Sequence, residues 1–286
     1  LAKLPEESGG VFVQGGTIGN LSALVAARAD ARKKYPDTAR WAIACSTEAH
    51  SSIANAANIM DVDVLKIEPG SDRKIHGAAV GAAIDSLHAT SKTRVFAVVA
   101  TGGTTNLGII DDLETVGAAT HARDIWFHVD GAYGLAALCA PSVRAKFNGV
   151  EQADSLIVDP HKWLFAPFDA CALIYRNPEI AKDTHTQHAS YLDTLHDNSW
   201  SPSDYAIHLT RRVRGLPFWF SLAAHGTDAY SQAMEETLNV AHAAADLITA
   251  HPNLELVMVP ELSIVAFKRI GWTADDYQKW SDKLLA

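Results

Sequence analysis

Seven short apolar, β-rich runs punctuate the first 175 residues, and longer segments with helical spacing lie between several of them. The runs are Gly10–Gln14, Trp41–Cys45, Val62–Ile67, Arg94–Ala100, Ile125–Val129, Asp154–Val158 and Cys171–Tyr175. Thr17–Lys34, Gly77–Ala89 and Leu113–Arg123 carry the helical spacing. Strands that alternate with helices predict crossover units and a mostly parallel sheet covered on both faces. Near-continuous apolar strands agree with burial on both sides. The expected class is therefore α/β.

The character changes after Tyr175. Residues 184–205 are polar, irregular and rich in histidine. A loop of this length in a compact protein is usually functional or disordered. Leu216–Ala250 reads as helical with a break near His225-Gly226, and two short strands, Leu254–Val259 and Ser263–Lys268, follow. We expect a large domain over 1–215, a connecting helix over 216–250 and the start of a small α+β domain over 251–286. The chain opens on Leu1 without a signal-peptide pattern and stops inside a helical pattern, so both ends are expected to be incomplete.

A formal charge of −9 argues against nucleic acid or an anionic membrane as the main partner. Cys45, Cys139 and Cys171 lie far apart and form no C-x-x-C pair. That fits buried free thiols and a cytoplasmic setting rather than a disulfide framework. No apolar run reaches the roughly 18–20 residues that span a bilayer.

Ligand sites of open α/β sheets lie beyond the carboxyl ends of the strands. After the first run comes Gly15-Gly16-Thr17-Ile18-Gly19-Asn20, opening a helix. Free backbone N–H groups and the helix dipole favour a phosphate there; a glycine-rich turn with a Thr cap explains it equally. The stretch is neither G-x-G-x-x-G nor a P-loop. After the second run lies His50, and after the fourth a small-residue turn, Thr101-Gly102-Gly103-Thr104-Thr105. The fifth run ends on Asp130, followed by Ala132. A carboxylate buried there implies a cation. The sixth ends on Asp159-Pro160-His161-Lys162-Trp163. A lysine beside a buried strand end either snorkels to solvent or forms an imine.

One ligand, pyridoxal phosphate, explains these features together. Lys162 would hold it as an imine, Asp130 would pair with the pyridine nitrogen and the helix N-terminus would take the phosphate. A flat group such as His50 would cover the ring.

The D-P-H-K-W block at Asp159–Trp163, with H-V-D-x-A-Y placed so that Asp130 precedes Lys162 by 32 positions, is specific. The chain, from Gly10 onward, resembles the group II pyridoxal-phosphate-dependent amino-acid decarboxylases. That family acts on aromatic amino acids, glutamate, cysteine sulfinate or diaminobutyrate. The resemblance implies an aspartate-aminotransferase-like (fold type I) domain, a homodimer with its active site near the interface, and decarboxylation of an L-amino acid. It assigns Lys162, His50, Asp130 and Tyr205 to catalysis, Tyr205 as the proton donor. Gly16, Thr17 and Ile18 would bind the phosphate. His50, Thr105, Asp130, Ala132, Asp159, His161 and Lys162 would surround the cofactor. Many relatives carry Asn at the position of Asp159. Residues 184–205 match the family's mobile catalytic loop, and Arg211-Arg212-Val213-Arg214 its R-R-x-R run.

The resemblance leans toward an aromatic substrate and leaves acidic and diamino substrates open. Two other enzyme readings remain, an aldehyde synthase or a carbon–carbon lyase on the same scaffold. The non-enzyme reading is an inactive binding or dimerisation homologue. A metal at His185 and His188 lacks evident third and fourth ligands, and none is expected.

Overall fold

Each predicted strand forms, most of them within a residue of the expected bounds. The computed structural model describes residues 1–187 and 200–285. The strands are β1 (Gly9–Val13), β2 (Arg40–Ser46), β3 (Asp63–Ile67), β4 (Thr93–Thr101), β5 (Trp126–Asp130), β6 (Ser155–Val158) and β7 (Cys171–Tyr175). They make one sheet in the order β1-β7-β6-β5-β4-β2-β3. Neighbouring pairs among β2 to β6 are parallel, whereas β7 runs antiparallel to both β1 and β6. The α/β class and mostly parallel sheet are as expected.

Helices cover both faces. They are α1 (Gly16–Lys34), α2 (Ser51–Met60), α3 (Gly77–Thr90), α4 (Leu113–His121), the single turn α5 (Pro160–Trp163), α6 (Pro178–His185), α7 (Gly215–Ala250) and α8 (Ala274–Leu285). Successive strand residues point to opposite faces, so each strand feeds two cores. Ile43, Val99 and Ile157 pack with Leu21 and Leu24 of α1 and Ile53 of α2. Val98, Phe127, Val129 and Leu156 pack with Val80 and Ile84 of α3, Val116 of α4 and Met234 of α7.

The helix α2 carries a signal that the strand-centred reading passes over. Ile53, Ala56, Ala57 and Met60 repeat at helical spacing and are buried. Likewise α6 begins on a capping signal, with Asn177 accepting the Glu179 N–H and Pro178 in the first turn. The break in α7 falls at Gly226, where φ is 78°; that left-handed backbone suits glycine and ends the regular turn.

The two late strands are shorter than expected, β8 (Leu254–Leu256) and β9 (Phe267–Arg269). The intervening chain turns inward instead of extending the hairpin. Leu262 is fully buried in the core of the large sheet, Ser263 bonds the Tyr133 hydroxyl, and Glu261 pairs with Lys74 at 2.9 Å. None of the described helices is long and apolar enough to cross a membrane. Cys45 and Cys171 are buried, and all three cysteines are free.

Phe127, the second residue of β5, is fully buried. Phe127→Ala is expected to lower the unfolding free energy by about 3–5 kcal/mol, read from urea denaturation.

Candidate active site

The carboxyl ends of β1, β2, β4, β5 and β6 meet at one edge of the sheet, and the reversed β7 brings its beginning to that edge. A cavity of about 430 Å³ opens there. It is lined by Gly16, Thr17 and Ile18 after β1, His50 after β2, Thr105 after β4, Asp130 and Ala132 at the end of β5, and Asp159, His161 and Lys162 after β6. Phe168 and Asp169 close it from the start of β7.

Tyr205 is the one expected site residue that lies outside this lining. It is buried against the α1 face, its ring stacked on Trp200 and its carbonyl accepting the Tyr175 hydroxyl. The expected catalytic loop falls largely on residues 188–199, outside the described residues, as does His188. His185 is buried and donates through Nε2 to the Ser22 carbonyl at 3.1 Å.

Local sequence explains how Lys162 is delivered. Pro160 forces Asp159 into extended backbone and opens a single helical turn. Lys162 then folds back so that Nζ stands 3.0 Å from Asp159 Oδ2. The same oxygen accepts the Gly16 N–H at 3.1 Å, tying β6 to the first turn of α1. Space there is tight, because a Cβ on Gly16 would meet Ala132 at 3.1 Å and Asp159 Oδ2 at 3.2 Å. His161 bonds the backbone of Ala170 and stacks on Phe168 at 4.6 Å. Trp163 points away from the cavity. It stacks on Tyr133 at 4.9 Å and donates to Thr237 of α7.

Asp130 is 6 % exposed. Its Oδ2 accepts from Asn20 Nδ2 at 2.8 Å and its Oδ1 from the Ala132 N–H at 3.2 Å. No lysine, arginine or histidine among the described residues makes an ion pair with it. Asn20, Ser52, His128 and Ser155 form the polar layer beneath it. This layer escaped the sequence reading, although Trp126, His128 and Asp130 alternate along β5 and so share one face.

The basic run has a partner at the cavity rim. Arg212 and Arg214 both bond the Asp169 carboxylate, and the Arg212 guanidinium, the larger influence, holds that carboxyl below its usual range. Burial, reinforced by the charge of Asp159, pushes the Cys171 thiol well above its ordinary value.

The residues present fit a flat, cationic, phosphate-bearing ligand. Asp130 is a buried acceptor that lacks a counter-charge among the described residues. Asp159 Oδ1 and Gln14 Oε1 are buried without hydrogen-bond partners among the described residues. The N-terminus of α1, a 19-residue helix, faces the cavity through Thr17 and Ile18.

The family model for the pyridoxal-dependent decarboxylase conserved domain matches residues 1–270. The chain belongs to that family. It is 30% identical over 272 residues to the aromatic-L-amino-acid decarboxylase of Bacillus atrophaeus, covering 93% of this chain and 56% of the relative. It is 32% identical over 279 residues to the L-2,4-diaminobutyrate decarboxylase of Rhizobium meliloti, covering 95% and 55%. The structure of mouse CSAD superposes with a TM-score of 0.83 at 27% identity, covering 96% of this chain and 60% of that one. The chain thus spans a little over half the length of these relatives.

Burial keeps His128 and His185 neutral down to about 4, from an ordinary 6.5. The unfolded chain binds those protons first, so stability is lost as pH falls from 6.5 toward 4. Asp111, whose carboxyl burial pushes up to about 6, acts in the opposite sense over the lower part of that range. Comparing the wild type with His128→Gln isolates one group. Between pH 7.5 and 4 the wild type is expected to lose on the order of 3 kcal/mol more unfolding free energy than the variant, measured by urea denaturation.

Proposed function

We propose that this chain carries the cofactor-binding half of a pyridoxal-phosphate-dependent L-amino-acid decarboxylase acting on an aromatic substrate. One observation carries the reading. Asp130, a buried carboxylate without a counter-cation among the described residues, faces the same cavity as the amine of Lys162.

When bound, pyridoxal phosphate supplies a cationic π-system that accepts the electron pair left as CO2 departs. Lys162 is the amine that would hold the cofactor. Its ammonium needs to lose a proton first, and Asp159 at 3.0 Å is the nearest carboxylate. Asp130 is the acceptor for a protonated ring nitrogen. Thr17 and Ile18 offer a hydroxyl and backbone at the helix N-terminus for the phosphate. Gly16 donates to Asp159, so it supports the cradle rather than the phosphate itself. Ala132, Thr105, His50 and His161 bound the remaining walls.

The charges of the lining favour an uncharged side chain over an acidic one. Lys162 is the one lysine or arginine among the described lining residues, against the carboxylates of Asp130 and Asp159, and Asp169 is already paired with Arg212 and Arg214. Tyr133 and Phe168 add aromatic surface. A diamino substrate is the second reading, favoured by the likeness to the Rhizobium meliloti enzyme. A homodimer is part of the proposal. Phe168 at the cavity mouth is 79% exposed, and Trp219 and Phe220 of α7 are also exposed, as expected for surfaces that a second copy covers.

The protein incubated with pyridoxal phosphate is expected to show a visible imine band that borohydride fixes onto Lys162. Lys162→Ala should abolish band and label, and Asp130→Asn should lower CO2 release at least 100-fold. Release from aromatic substrates, with diamino and acidic ones lower, supports the substrate class. Aldehyde and peroxide in place of amine would make it an aldehyde synthase, and no band at all would leave a binding homologue. Light scattering is expected to give twice the 30.8 kDa chain mass.

A further inference from the structure

We infer that Asn20, Ser52, His128 and Ser155 form a one-way hydrogen-bond chain that keeps Asp130 an acceptor and sets which ring nitrogen of His50 carries its proton. The inference rests on the proposed function for its ligand; the proton positions follow from the side chains alone.

The direction is fixed at both ends. The indole of Trp126 can only donate, and it meets Ser155 Oγ at 2.8 Å. The carboxylate of Asp130 can only accept, and Asn20 Nδ2 stands 2.8 Å from its Oδ2. Turning the Asn20 amide over would set its carbonyl oxygen against that carboxylate, so the network itself assigns the amide. Asn20 Oδ1 is then an acceptor, and His128 Nε2, 2.9 Å away, must donate to it. His128 is fully buried and held neutral. Its Nδ1 therefore bears a lone pair and accepts from the Ser155 hydroxyl at 2.7 Å. Ser155 Oγ accepts from the Trp126 N–H and donates its own O–H to His128.

The second N–H of Asn20 starts a branch. It donates to Ser52 Oγ at 2.9 Å, which leaves the Ser52 hydroxyl proton for His50 Nδ1, also at 2.9 Å. The Ser52 backbone N–H points at the same nitrogen from 3.1 Å. A proton on His50 Nδ1 would face both donors. His50 is thus the Nε2–H tautomer, and that N–H is the only donor its ring has for the cavity it lines.

One amide consequently governs two groups. Asn20 keeps Asp130 an acceptor, ready for a cationic N–H, and through Ser52 keeps His50 a donor, ready for a carboxylate or other acceptor. Asn20, Ser52 and His128 are positioning residues: they act through Asp130 and His50.

Two measurements test this. The first uses cofactor-free protein labelled with 15N-histidine at pH 7.5. Long-range 1H–15N correlation, assigned with His50→Gln and His128→Gln, is expected to show both rings as neutral Nε2–H tautomers. An Nδ1–H tautomer or an imidazolium at either ring overturns the chain. The second compares Asn20→Asp with Asn20→Ala for pyridoxal phosphate affinity and for the pH dependence of the visible band. A filler role predicts that the near-isosteric Asp is the milder change. The chain predicts the reverse, with Asp at least 10-fold weaker than Ala, because its carboxylate against Asp130 must trap a proton between them. An Asp variant as good as Ala overturns the role of Asn20. Wild-type protein that binds no pyridoxal phosphate sinks the proposed function, and the histidine tautomers then decide the chain by themselves.

Discussion

The hydrogen bond from Asn20 to Asp130 ties the first helix to the middle of the sheet. Most of the site depends on that tie. It places the N-terminus of α1 over the ends of β5 and β6, where Gly16 donates to Asp159. It also puts polar atoms in an otherwise apolar interface between α1 and β5. Such atoms are costly to bury unless each finds a partner, and here each does. The interface therefore has one register. A shift of α1 by a single residue would exchange Asn20 for Gly19 or Leu21 and strand the carboxylate.

Much of this arrangement can be read from the residues. The strands are legible because parallel strands buried on both faces must be apolar, and a charged residue at the end of such a run stands out. Asp130 and Lys162 stand out for that reason, as do the glycines that open α1. What is not legible is direction. Trp163 is adjacent to Lys162 in sequence, yet it faces α7 because Tyr133 and Thr237 offer a stack and an acceptor there. Tyr205 reads as a loop residue, but its ring packs into the α1 face. Arg212 and Arg214 look like solvated cations until the fold sets Asp169 opposite them.

The polar layer under Asp130 shows the same limit from the other side. His128 sits in a run, WFHVD, that reads as a strand with a stray histidine. Period two puts it on the face of Asp130, but only the packing of α1 and β6 supplies Asn20 and Ser155 as its partners. A histidine inside an apolar strand is a cue to look for both neighbours of its ring. The neighbours themselves come from residues more than 25 positions away.

The reversed strand β7 has an effect beyond the sheet. Because it runs against the others, the chain enters it at the cavity edge and leaves it at the opposite edge, where β6 begins. Residues 164–170 must bridge a fixed gap along the cavity wall, and Phe168 and Asp169 hang on that bridge. The turn at 176–177, between β7 and α6, lies a full strand length from the wall. Insertions and deletions at that turn leave the cavity untouched, whereas one residue more or less in 164–170 moves the wall itself. Tolerance to changes in length is thus set by which end of a strand the chain arrives at, and not by how near the residues lie to Lys162 along the sequence.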